Sequence, residues 1–152
     1  MRRIADEVLE LARRVAAGIP GFDERRGPGK NAGDGMTKTF LRALDDEVMR
    51  RWPGAVDRQK RVVQGIGYTF DYFVEREQTA VEIALSLRNP LSEFEKDVFK
   101  AILAQEAGLA LRRLVLIGKK GAVARLSAPG PQAIIRWLGE HHAIEVLVED
   151  LG

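Results

Sequence analysis

Two acidic residues, Asp71 and Glu82, lie in neighbouring segments that both have the composition of β-strands. Residues 67–74 are rich in aromatic and β-branched types, and residues 79–87 alternate large aliphatic with small or acidic types. A tight turn symmetric about the middle of the polar segment 75–78 places Asp71 directly opposite Glu82, with Cβ atoms about 5 Å apart. Two like charges this close destabilise a sheet unless something offsets them, and oxygen ligands suit Mg²⁺. The spacing therefore predicts a divalent-cation site across two strands, on the condition that the turn has this length.

A third carboxylate is available from the segment 37–52, where apolar residues recur at helical spacing and Thr37 is a suitable N-cap. Glu47 falls at the rim of the apolar stripe, so it is placed to lean over the sheet toward Asp71. Asp45 lies on the opposite rim and is the alternative. The helix is thus expected to contribute one acidic side chain to the same site.

The surrounding segments predict one α/β domain. An amphipathic helix over residues 2–17 and a Gly- and Pro-rich arm form an N-terminal part at 1–36, and the α/β core spans 37–152. Residues 58–65 are predicted to form a first strand. With the two strands that carry the acidic pair, this segment completes an antiparallel meander.

The second half of the chain has a strand–helix–strand pattern. Its first helix opens at Pro90 and Ser92, since Ser92 and Glu95 have the spacing of a capping box, and it ends at Gly108. The buried face of this helix is predicted to carry Phe94, Val98, Phe99, Ile102 and Leu103. A strand, a helix and a last strand are predicted at 112–118, 129–142 and 144–149. Continuous apolar strands that alternate with helices imply parallel pairing with both faces covered.

Composition excludes several classes of protein. The chain has 152 residues, of which 45% are hydrophobic and 30% charged, a globular balance. The absence of cysteine excludes disulfides, thiol nucleophiles and thiolate metal sites. No apolar run approaches the ~18 residues of a membrane span and no signal-peptide core is present, so a cytoplasmic protein without membrane contact is expected. Residues 1–61 hold 14 Lys and Arg against 10 Asp and Glu, which permits a polyanionic partner.

Several short motifs follow one another in a distinctive order: Gly29-Lys30-Asn31, Thr37-Lys38, the helix to Trp52, Asp71, Val81-Glu82-Ile83 and Asn89-Pro90. Together with the order of helices and strands, they resemble the restriction-endonuclease-like, or PD-(D/E)xK, nuclease superfamily, nearest the branch of BamHI and BglII. The resemblance covers roughly residues 29–150. It implies an α/β, three-layer restriction-endonuclease-like fold with a central mixed sheet flanked by helices. It also implies Mg²⁺-dependent hydrolysis of DNA phosphodiester bonds, with Mn²⁺ as a substitute metal.

The resemblance assigns roles to particular residues. Asp71, Glu82 and the backbone carbonyl of Ile83 correspond to the metal ligands of the superfamily, and Glu47 corresponds to a helix carboxylate that often supports the metal. Water bound to the metal then attacks the phosphodiester. Such nucleases usually dimerise to cut two strands, so the resemblance also implies a homodimer.

The motif departs from the superfamily at Ala84, which stands where the superfamily has Lys, or Glu or Gln in this branch. That side chain orients the attacking water or supports the transition state. Lys96 or Lys100 of the following helix could replace it, and the helical wheel puts Lys96 nearer the buried face. The departure leaves open a second reading, in which the same fold binds nucleic acid or a protein partner without catalysis.

Cationic and amide side chains near the predicted site are candidates for DNA contact. The Gly-rich arm, the end of the predicted metal strand and the end of a parallel strand each contribute some of them. The alternatives are a flexible arm, a simple turn before a proline, and a basic turn in water. The candidates are Lys30, Asn31, Lys38, Arg88, Asn89, Lys119 and Lys120.

Overall fold

The computed structural model describes residues 2–22, 34–85 and 90–152. These ranges form helices and strands in one alternating succession. The elements are α1 (Ile4–Ala17), α2 (Asp34–Arg51), β1 (Asp57–Arg61), β2 (Thr69–Val74), β3 (Thr79–Ala84), α3 (Pro90–Glu106), β4 (Arg113–Gly118), α4 (Ala122–Leu126), α5 (Pro129–His142) and β5 (Glu145–Asp150). None of the helices in the described ranges combines the length and the apolar character that crossing a bilayer requires.

The five strands form one mixed sheet in the spatial order β1-β2-β3-β4-β5. Strand β2 pairs antiparallel with β1 and with β3, whereas β4 pairs parallel with β3 and with β5. The predicted antiparallel meander followed by a parallel unit is therefore confirmed. Each parallel connection passes through helices, as the chain must when it returns to the same end of the sheet.

Helices cover both faces of the sheet. On one face, α1 and α2 bury a cluster that includes Val8, Phe40 and Val81. On the other face, α3 and α5 bury a second cluster that includes Phe94 and Leu138. The α/β class with a five-stranded mixed sheet flanked by helices is thus confirmed, and α1 packs in the same core as the strands.

Helix α1 is held at its N-terminus by the turn that joins β2 to β3. The carboxylate of Glu77 accepts hydrogen bonds from the backbone N–H groups of Ile4 and Ala5, at 2.6 and 3.1 Å. A carboxylate at a helix N-terminus satisfies free N–H groups and favours the helix dipole. The turn that sets the strand register is therefore also fixed against the first helix.

Several predicted element ends differ from the structure, among them that of the first strand, which ends at Arg61 and not at residue 65. Helix α2 begins at Asp34, so Thr37 lies inside its first turn and is not its N-cap. Helix α3 begins at Pro90, as predicted, a residue suited to the first helical position because it lacks an N–H. Ser92 therefore lies inside the helix, and its predicted capping-box role is wrong. Strand β3 ends at Ala84, three residues earlier than predicted.

The buried face of α3 also differs from the prediction. Phe99 is 52% exposed, whereas Asp97 and Lys100 are buried together with Phe94 and Ala101. The helix is therefore rotated relative to a stripe chosen by large apolar side chains. Small alanines facing the sheet leave room for two charged side chains on the buried face.

Candidate active site

The two predicted acidic residues lie at the point where the ladder between β2 and β3 ends. The paired residues are Val74 with Thr79, Phe73 with Ala80, and Tyr72 with Val81. This is the register that the symmetric turn predicts, and the next residues along the two strands are Asp71 and Glu82.

Carboxylates take the place of backbone acceptors beyond the end of that ladder. The N–H of Asp71 donates to Glu82 Oε1 at 3.2 Å, and the N–H of Ile83 donates to Asp71 Oδ2 at 2.7 Å. The N–H and C=O of one strand residue face the same neighbouring strand, so the carbonyl of Ile83 faces this gap as well. The structure thus brings Asp71, Glu82 and the Ile83 peptide together.

A residue of the edge strand steadies Asp71. The side-chain amide of Gln59 donates to Asp71 Oδ1 at 3.3 Å and accepts from the hydroxyl of Thr69 at 2.8 Å. Gln59 has a φ of 52°, a conformation uncommon for residues other than glycine. Phe70 and Phe73 belong to the same buried cluster although they are three positions apart, so the alternation of β2 is interrupted beside Asp71.

Lys100 is the lysine that reaches this site. Its Nζ lies 3.1 Å from Glu82 Oε2 and 3.6 Å from Asp97 Oδ1, and the three residues are only 5%, 7% and 4% exposed, respectively. The prediction that Lys96 lies nearer the buried face is wrong: Lys96 is exposed, and its Nζ lies over the ring of Tyr68 at 5.8 Å. One turn of helix separates the two lysines, and the rotation of α3 decides between them.

The cluster carries more negative than positive charge. When all groups are ionised, Asp71, Glu82 and Asp97 face one ammonium group, that of Lys100. Burial, together with the charges of Asp71 and Asp97, raises the pKa of Glu82 to about 8. Burial likewise raises the pKa of Asp97 to about 6. The site therefore favours an additional positive charge, supplied by a proton or by a cation.

Helix α2 contributes Asp45 and not Glu47. Glu47 Oε2 pairs with Arg50 Nη2 at 2.5 Å and with Arg51 Nε at 3.8 Å, along the surface of the helix. Asp45 instead accepts a hydrogen bond from the hydroxyl of Tyr72 on the sheet. The prediction that Glu47 leans over the sheet toward Asp71 is wrong, because Glu47 pairs with Arg50 and Arg51 of its own helix.

Asp45 also acts on the acidic pair through its charge. Burial raises the pKa of Asp71, and the carboxylate of Asp45 contributes in the same direction. Arg58 Nε lies 2.8 Å from Asp45 and balances that carboxylate. Burial and the bond to Asp45 raise the pKa of the Tyr72 hydroxyl, so it remains a donor at neutral pH.

The donors present suit a hard divalent cation. Asp71 and Glu82 offer carboxylate oxygens, and Ile83 offers a carbonyl in the same gap, which is the ligand chemistry of Mg²⁺. Within the described ranges, no three Asp, Glu or His side chains are grouped so that they could hold a metal ion. Asp97 pairs with Lys100 at 3.6 Å and shares a hydrogen bond with Glu82, so among the described side chains Asp71 and Glu82 are the donors at the end of the ladder.

The predicted DNA-contacting residues are only partly described. Lys38 is exposed and lines an open concavity of about 580 Å³ with Arg42 and Arg58, on the α2 side of the sheet. Lys119 lies over the ring of Phe22 at 5.0 Å, at the end of β4. Lys120 is exposed beside it. The remaining candidates, Lys30, Asn31, Arg88 and Asn89, lie outside the described residues.

Sequence reasoning missed Asp97 and Gln59 altogether. The signal for Asp97 was its spacing: it stands three residues after Phe94 and four before Ala101, so it shares their face of α3. An acidic residue that shares the face of buried residues, and that stands three residues before a lysine, indicates a buried ion pair. Gln59 has no such signal, because its positive φ and its contact with Asp71 arise from pairing between strands.

Comparison of the chain with family models, curated proteins and solved structures gives no match. The chemistry of the site must therefore be inferred from its own residues and their contacts.

We expect the metal-free protein to lose stability as the pH rises between 4.5 and about 8, because of Glu82. In this range the folded protein holds a proton on Glu82 that the unfolded chain releases, so the free energy of unfolding falls as pH rises. The stabilisation is complete below the pKa of Glu82 in the unfolded chain, and it is lost as the pH rises through the pKa of Glu82 in the folded protein. Urea unfolding in EDTA across this range should show a flatter pH dependence for Glu82→Gln. Equal slopes for the two proteins would contradict the assignment.

Replacing Lys100 should affect stability far more than replacing Lys96. Lys100→Met leaves Glu82 and Asp97 buried without their cation, which costs about 3–5 kcal/mol. Lys96→Met alters an exposed side chain of the same helix and should change stability by no more than about 0.5 kcal/mol. Chemical denaturation at neutral pH measures both variants, and similar losses would show that Lys100 does not hold the cluster.

Proposed function

We propose that the protein is a Mg²⁺-dependent nuclease of the restriction-endonuclease-like type that hydrolyses DNA phosphodiester bonds. The observation that carries this proposal is the meeting of Asp71, Glu82 and the Ile83 peptide where β2 and β3 separate, with the ammonium of Lys100 behind Glu82. The order of elements around the pair, a meander followed by a parallel unit, supports the same proposal.

Asp71, Glu82 and the carbonyl of Ile83 would hold the metal. Their combined negative charge attracts a divalent cation, and the raised pKa of Glu82 reflects the cost of leaving that charge without one. When bound, Mg²⁺ supplies charge neutralisation at the phosphate and lowers the pKa of a water. Gln59 and the N–H of Ile83 hold the two oxygens of Asp71 in place.

Lys100 takes the role of the motif lysine, whose position is occupied by Ala84 in this chain. It approaches Glu82 from α3, and a motif lysine would approach from β3, two residues beyond Glu82 and on the same face of the strand. Asp97 acts as a positioning residue, since its carboxylate lies 3.6 Å from Lys100 Nζ. The charge of the motif is thereby supplied from a different element.

The neighbourhood of the pair suits a polyanionic substrate. Strands β3 and β4 end at Ala84 and Gly118, and the carboxyl ends of parallel strands are where α/β sheets commonly bind ligands. The concavity that contains Lys38, Arg42 and Arg58 opens on the α2 side. Cations there can contact phosphates on either side of the bond that is cut.

Mg²⁺ should raise the melting temperature of the protein and support nicking of plasmid DNA, and Asp71→Asn should abolish both effects. The variant removes one of two carboxylate donors, whereas Asp57→Asn is a matched control, because Asp57 is an exposed carboxylate of the same sheet. Thermal melts with and without Mg²⁺ and a plasmid assay measure the two effects. Salt-sensitive DNA binding without any nicking would instead establish the non-catalytic alternative.

A lysine returned to the motif position should rescue the loss of Lys100. We expect Lys100→Met to abolish nicking and the double variant Ala84→Lys, Lys100→Met to recover part of it, because both ammonium groups serve the same carboxylate. Ala84→Lys alone is the control for the added side chain. A double variant that folds, as its melting curve would show, and remains as inactive as Lys100→Met would contradict the exchange.

A further inference from the structure

Three lysines on the α3 face of the meander each lie over an aromatic ring. Along the chain, Tyr68 and Phe70 lie on one side of Asp71 and Phe73 lies on the other. The pairs are Lys100 over Phe70 at 5.6 Å, Lys96 over Tyr68 at 5.8 Å and Lys60 over Phe73 at 5.9 Å from Nζ to ring centroid.

The outer part of this row is open to solvent. Phe99 is 52% exposed and meets Tyr68 nearly edge to face, with ring centroids 6.4 Å apart and an interplanar angle of 87°. Lys96 is exposed, and Tyr68 and Lys60 are half-buried. We name these four residues, Lys60, Tyr68, Lys96 and Phe99, the lysine–aromatic strip.

We propose that the lysine–aromatic strip binds unpaired nucleotides of a single-stranded nucleic-acid segment. Exposed rings offer surfaces on which bases stack regardless of sequence, and neighbouring cations bind the phosphates between them. The strip is next to the acidic pair, so the nucleotides that it binds would lie beside the bond that is cut. In this respect the proposal rests on the proposed nuclease function. The binding itself requires no cleavage.

The distance between the strip and the acidic pair fits one strand that contacts both. Tyr68 precedes Asp71 by three residues, or about 10 Å along an extended strand. Lys96 precedes Lys100 by about one helical turn, roughly 6 Å along the axis of α3. A single strand that passes the gap between β2 and β3 therefore reaches the strip within one or two nucleotides.

The charge of the strip favours a nucleic acid over a second copy of the chain. A symmetric contact between two copies would bring Lys60 and Lys96 of each against the same residues of the other, and like charges across an interface oppose association. Aromatic residues with interspersed lysines are complementary to a polymer that alternates flat rings with phosphates.

The test measures the affinity for a fluorescein-labelled single-stranded oligonucleotide by anisotropy in EDTA, so that no cleavage occurs. Phe99→Ala should weaken binding roughly 5- to 100-fold, the effect of removing one base-stacking ring. Lys96→Glu should also weaken binding of the oligonucleotide. The matched control is Trp137→Ala on α5, since Trp137 is 43% exposed and its ring contacts, among the described aromatic residues, are with His141 and His142. The affinity of this control for the oligonucleotide should stay within about twofold of the wild-type affinity.

The outcomes separate this proposal from the nuclease function. Oligonucleotide binding that depends on Phe99, in a protein that never nicks DNA, would support the strip and refute the nuclease. Nicking by a protein whose Phe99→Ala and Trp137→Ala variants bind the oligonucleotide equally well would refute the strip alone. Absence of wild-type binding, or sedimentation showing that Phe99→Ala only dissociates a dimer, would also overturn it. Melting curves of both variants confirm that each is folded.

Discussion

The grouping of two buried carboxylates, Glu82 and Asp97, and the half-buried Asp71 around one ammonium group is the constraint on which the candidate site depends. Removing charges from water is costly, and the pairing of Lys100 with Glu82 and Asp97 offsets only part of that cost. A fold selected for stability alone would fill this space with apolar side chains. The unbalanced charge of the cluster is what the proposed metal ion would compensate.

Every element near the cluster contributes to holding it. The ladder between β2 and β3 ends at Tyr72 and Val81, which frees backbone donors for the carboxylates of Asp71 and Glu82. Helix α3 presents small side chains to the sheet, and this close approach brings Lys100 to Glu82. From the opposite face, α2 contributes Asp45 through the hydroxyl of Tyr72. The site is thus assembled where two antiparallel strands separate between two helical layers.

Much of the fold and part of the site could be predicted, and the errors on the helices have identifiable physical causes. The composition of β2 and β3 and the symmetric turn were sufficient for the antiparallel pairing of these two strands and its register, which brings Asp71 and Glu82 together where the ladder ends. On helices, large apolar residues were taken to mark the buried face. That assumption selected Phe99 and Lys96, whereas the structure buries Asp97 and Lys100, whose charges compensate one another. Glu47 was chosen over Asp45 although Arg50 and Arg51, three and four residues further along the helix, already indicated a surface ion pair.

The sequence by itself determined the α/β class, the order of strands along the chain and which two carboxylates face each other, because these follow from local periodicity and from the length of one turn. Only the tertiary structure decided which lysine and which helix carboxylate join them. Those choices depend on the rotation of α2 and α3 about their axes. That rotation is set by packing against a sheet and by charge compensation between residues far apart in the chain, neither of which local spacing encodes.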